Sequence, residues 1–73
     1  MDDNEKRIKA KLNFFLNESM RVHVERKDRL FWNGIIVGKK NEDVFIFNDD
    51  KFGLMHLFVA DIWEVEEYRE EEG

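Results

Sequence analysis

Lys39, Lys40 and Asn41 stand side by side, two ammonium groups and an amide, a donor set that can hold phosphate oxygens. They fall where a long apolar run breaks at Lys40-Asn41-Glu42, which places them in a loop. A second cationic group, Lys6, Arg7, Lys9 and Lys11, lies early in the chain. The plainer reading of that group is a solvated helix face with Glu5 and Lys9 paired at i, i+4. Neither histidine has a Ser, Cys or carboxylate partner at a spacing that suggests catalysis. His23 sits on the polar phase of its segment and is expected at the surface. His56 shares the phase of Leu54 and Phe58 and is expected to be a partly buried structural residue. Asp49 and Asp50 adjoin one another, but a calcium ion asks for about six or more oxygens, and turn chemistry accounts for both acids. No catalytic constellation emerges, so the residues point to binding or assembly and not to an enzyme, and no cofactor or metal is expected.

Seventy-three residues make a single domain over 1–73. A chain this short buries only about 60% of its unfolded surface and usually needs a disulfide, a metal or a partner copy. Cysteine is absent and the two histidines lie far apart, which leaves self-association as the expected support. There is no apolar run near membrane-spanning length and no leader pattern, so a cytoplasmic protein is expected. Charged residues make up 40%, and Gln is missing as well as Cys, a composition associated with hot environments. The charge is uneven. Residues 1–40 hold ten Lys/Arg against six Asp/Glu, whereas 41–73 hold two against eleven. A basic half facing an anionic partner and two halves that neutralise each other in space are both compatible with that split.

The elements that must position these residues follow from periodicity. Asp2 and Glu5 fit a capping box, and Ile8, Leu12, Phe15 and Leu16 recur on one helical face, which predicts a helix over about 3–17. Residues 20–25 alternate apolar and polar, a half-buried strand with Met20, Val22 and Val24 inward. Four more strands are expected at 30–39, 43–48, 54–60 and 62–68, separated by short polar breaks. Parallel crossovers need about a dozen residues, so the sheet must be an antiparallel meander. Asn33-Gly34 has the composition of a hairpin turn, but apolar residues continue on both sides, and Gly34 is read instead as a bulge or bend inside one long strand. The segment 48–53 is the clearest turn, with Gly53 free to take positive φ. Residues 69–73 form an acidic tail. The aromatics are too many for one small interior, so some must be exposed or lie at an interface.

A helix followed by five strands, the second bent at a glycine, resembles the Sm-like superfamily that contains Sm and Lsm proteins and Hfq. The resemblance rests on the 20–25 strand, the Trp32-Asn33-Gly34-Ile35-Ile36 segment, the third strand ending in Asp49-Asp50, and the Phe58-Val59-Ala60-Asp61-Ile62 junction. It implies a mainly β fold: an N-terminal helix and a strongly bent five-stranded antiparallel barrel of the SH3-like kind. It also implies a homo-oligomeric ring, the fourth strand of one copy joined to the fifth of the next. In such rings the loop between the second and third strands lines a central pore where RNA passes, which would make Lys39, Lys40 and Asn41 an RNA-contacting set repeated around the ring. The base-reading Asn of the family would fall at Val44 or Phe45, and its basic junction pair at Ala60-Asp61. What the resemblance carries is therefore shape more than a uridine pocket. Two functions follow as expectations: an RNA-binding ring of weak sequence preference, or a non-catalytic assembly module with a protein partner.

Overall fold

The computed structural model describes residues 3–69. Helix α1 (Asp3–Glu18) leads into β1 (Arg21–Arg26), β2 (Phe31–Asn41), β3 (Val44–Asp49), β4 (Gly53–Phe58), one 3-10 turn (Val59–Asp61) and β5 (Ile62–Glu67). The expected cap at Asp2 and most of the acidic tail lie outside the described residues. No helix among those residues is long and apolar enough to cross a membrane.

α1 forms where the apolar stripe required it. Ile8 and Leu12 are fully buried, Phe15 nearly so, and Leu16 packs against them. The helix stops in a double-bonded cap. The Ser19 N–H donates to the Leu16 carbonyl and the Met20 N–H to the Phe15 carbonyl, with Ser19 at φ 52°. This is the left-handed arrangement that usually employs glycine.

The five strands form one antiparallel sheet in the order β4-β3-β2-β1-β5. The predicted helix and bent five-stranded antiparallel sheet are present, and the sheet is left open, with β4 and β5 at its two edges. β2 makes the bend feasible because it serves two partners. Residues 31–35 pair with β1 and residues 34–41 pair with β3. Gly34 belongs to both ladders, opposite Val22 on one side and Asp49 on the other. It keeps register there, and the irregularities expected at this glycine lie further on, where the pairing skips Val37 and then Lys40. Gly34 instead permits close approach: a Cβ at that position would collide with the Asn48 carbonyl oxygen.

The inner face joins Val22, Val24, Ile36, Phe45, Phe47, Leu57, Val59, Ile62 and Val65 to the helix stripe in one core. Each such side chain contributes about 1.5–3 kcal/mol by leaving water. Two turns set the strand ends. Asp49 is buried and its Oδ2 accepts the N–H groups of Lys51 and Phe52, at 2.8 and 2.9 Å, while Gly53 takes φ 77°. Asp28 Oδ1 accepts the Leu30 N–H beside Arg29 at φ 71°, and the Lys27 N–H donates to the Asp61 carbonyl, tying the β1–β2 turn to the 3-10 turn.

Candidate assembly edges and the basic surface

β4 is a bare edge. The Val59 N–H donates to the Asp43 carbonyl at 3.0 Å, which fixes the phase of the β3–β4 ladder. Backbone groups alternate sides along an antiparallel strand, so those of Gly53, Met55 and Leu57 face β3 and those of Leu54, His56 and Phe58 face outward. The side chains of these outward residues are exposed too, Leu54 at 71% and Phe58 at 50%. His56, expected to be partly buried, is exposed, because its phase of β4 points away from the core; its ring meets that of Phe58 edge-on at 6.4 Å. The strand contains no Asp, Glu, Lys or Arg.

β5 is a guarded edge. The Tyr68 N–H donates to the Arg21 carbonyl, so by the same alternation Val65 and Glu67 present their backbone groups outward, up to a bulge at Trp63 where the pairing passes from Glu64 to Ile62. Both groups of Val65 are taken. Its N–H donates to Glu64 Oε1 at 3.0 Å, and its carbonyl accepts from Lys11 Nζ at 3.2 Å. Glu64 is itself gripped from α1: Arg7 Nη1 reaches both carboxylate oxygens at 2.9 and 3.0 Å, and Lys11 Nζ lies 2.9 Å from Oε1. Lys11 also meets Glu66 at 2.9 Å. Burial alone would raise the Glu64 pKa, but the hydrogen bonds from Arg7, Lys11 and the Val65 N–H outweigh it and hold the group at about 2. The Glu64 carboxylate correspondingly raises the pKa values of Arg7 and Lys11.

The predicted basic set is placed differently from expectation. Lys39, Lys40 and Asn41 are the last residues of β2, not a loop, because the strand continues through two bulges and the turn shrinks to Glu42 and Asp43. Lys39 is engaged by Glu42 at 3.1 Å and Asn13 at 3.4 Å, with its ammonium 5.6 Å from the centre of the Phe45 ring. The Asn41 Oδ1 accepts the Asp43 N–H and so braces its own turn. Lys40, at the second bulge, is exposed and has no partner among the described residues. The helix cations are also committed. Lys9 pairs with Asp43 at 2.9 Å, which raises its pKa, where the sequence suggested Glu5 as its partner. With Arg7 and Lys11 on Glu64, only Lys6 of that group lacks a carboxylate among the described residues.

The remaining candidates resolve into structural roles. His23 is half-buried rather than a free surface residue, its Nδ1 2.6 Å from Asn33 Oδ1. Asp49 serves its turn and Asp50 pairs with Arg21, so the two do not converge as cation ligands. No group of three or more His, Cys, Asp or Glu side chains among the described residues is placed so that it could hold a metal ion. A shallow cleft of about 390 Å³ lies against Leu30, Phe31, Trp32, Asn33 and the 49–52 turn. Its acids are spent as described, leaving mainly apolar walls. Phe14, Phe31, Phe52, Phe58 and Trp63 are the exposed aromatics. Sequence reasoning missed the Lys11–Glu64–Val65 arrangement; the acids interleaved with Trp63 and Val65 were its one visible sign. Compared with protein-family models, curated proteins and solved structures, the chain matches none.

Proposed function

We propose that this chain is a non-catalytic assembly module with an Sm-like type of fold, which acts as a homo-oligomer joined through the edge of its sheet. The observation that carries the reading is the open sheet whose β4 edge exposes unpaired backbone together with Leu54 and Phe58. Such an edge aggregates unless another strand covers it, and a second copy is the one strand always present. A chain this small also gains the burial it lacks alone. Sedimentation of the full chain up to about 100 µM tests the reading: mass above that of one copy is expected, and a monomer throughout would overturn it.

RNA binding is the second reading, favoured by Lys40, which has no partner among the described residues, beside Lys39 and Asn41 at the end of β2. Multiplying one weak phosphate contact over several copies would give affinity that falls steeply with salt. Lys39→Glu with Lys40→Glu should abolish binding to single-stranded RNA while leaving the mass of the assembly unchanged, with most of the loss already present in Lys40→Glu. A titration at low salt with no binding removes this reading and leaves the first intact.

A further inference from the structure

We propose that the strand covering β4 is the β4 strand of a second copy, paired antiparallel about a two-fold axis through His56. This rests on edge assembly and names its mode. The two edges of the sheet are not equivalent. A head-to-tail joint must use β5, where the central residue Val65 already has its N–H on Glu64 and its carbonyl on Lys11. β4 has no such attachment among the described residues. A β4–β4 joint is also self-complementary. Ladder bonds form only where outward-facing backbone meets outward-facing backbone, and on β4 those residues are Leu54, His56 and Phe58. Centring the pair on His56 is the register in which all three find partners, with Leu54 opposite Phe58 of the second copy, Phe58 opposite its Leu54, and His56 opposite its own equivalent.

The side chains agree with that register. Directly opposed residues share a face with Cβ atoms about 5 Å apart, so the two Leu54–Phe58 pairs cover each other's exposed surface. The six residues of β4 bring no like-charged Asp, Glu, Lys or Arg together. The charged groups lining the same recess as His56 are Arg26 and Asp61, one of each sign. The product is a continuous sheet twice the width of one copy. Its outer borders are the two guarded β5 strands, so assembly closes at two copies rather than propagating.

Charge reversal at the axis distinguishes this joint from a head-to-tail one. His56→Lys and His56→Glu each place two like-charged side chains opposite one another across the axis, on Cβ atoms about 5 Å apart. By sedimentation equilibrium of the full chain at about 100 µM, suited to a small interface, the unaltered chain is expected as a dimer. Each variant alone is expected to dissociate at least tenfold more readily, and an equimolar mixture of the two is expected to recover the dimer. His56 is exposed, so both variants should keep the native circular dichroism spectrum. If His56→Lys keeps a mass above two copies, the joint is head-to-tail against the acids of β5 and this inference falls while edge assembly stands. Two monomeric variants that do not recover on mixing also overturn it. An unaltered chain that is monomeric at this concentration overturns both.

Discussion

Lys11 Nζ lies 3.2 Å from the carbonyl oxygen of Val65, so a helix side chain occupies a hydrogen-bonding position that a neighbouring strand would use. Glu64 takes the N–H of the same residue. Edge strands are commonly blunted by lysine, and here the lysine reaches the edge from another element. β4 has no counterpart among the described residues, which leaves the two edges of the sheet unequal.

Replacing Lys11 with Met keeps most of the aliphatic stem and removes the ammonium. The Val65 carbonyl then loses its donor and Glu64 loses one of its cations. We expect Lys11→Met to produce concentration-dependent species larger than a dimer, seen as added mass in light scattering. An unchanged mass distribution would mean that the lysine does not guard the edge.

Glu64 makes stability depend on acid. Its folded pKa of about 2 lies below the ordinary 4.5, so its contribution is complete above about pH 4.5 and is lost as pH falls toward 2. Glu64→Gln should cost about 1–2 kcal/mol at pH 7, a range reduced for partial solvent exposure. In urea melts the gap between the two proteins should shrink below pH 4.5 and close near pH 2. A gap independent of pH would assign the loss to packing.

Ser19 holds a left-handed conformation at the end of α1, φ 52°, and is exposed. Ser19→Gly removes a Cβ from that conformation and should stabilise the fold by about 0.5–1 kcal/mol, the strain relieved being partly offset by added freedom in the unfolded chain. A rise in the urea midpoint at constant slope checks it.

Gly34→Ala has the opposite sign. The obstructing atom is the backbone carbonyl of Asn48 in the adjoining strand, so relief demands that β2 and β3 separate where both ladders meet. A loss of about 3 kcal/mol or more is expected from overpacking of this kind. A melt close to that of the parent protein would show that the strands tolerate separation.

Local pattern made much of the architecture legible. The Ile8, Leu12, Phe15 stripe, the unbroken strand through Asn33-Gly34, the Asp49 turn and the break before Ile62 are all encoded by neighbours a few residues apart. What stayed hidden depends on side chains distant in sequence. Glu64 is 53 residues from Lys11 and 57 from Arg7, and no periodicity links them. The same holds for Lys9 and Asp43. The predicted Lys39–Asn41 loop failed because bulges at Val37 and Lys40 let β2 run on while its alternation shifts. His56 misled because both faces of β4 are apolar in sequence, and only the sheet order decides which one meets the core.

Amide hydrogen exchange resolved by residue, followed from dilute to concentrated protein, tests edge assembly most directly, because open-edge amides exchange rapidly until a strand covers them. We expect the amides of Leu54, His56 and Phe58 to gain protection together as concentration rises, while that of Glu67 on β5 stays unchanged. Exchange at Leu54, His56 and Phe58 that is independent of concentration, through a range in which β5 is also unchanged, would contradict it.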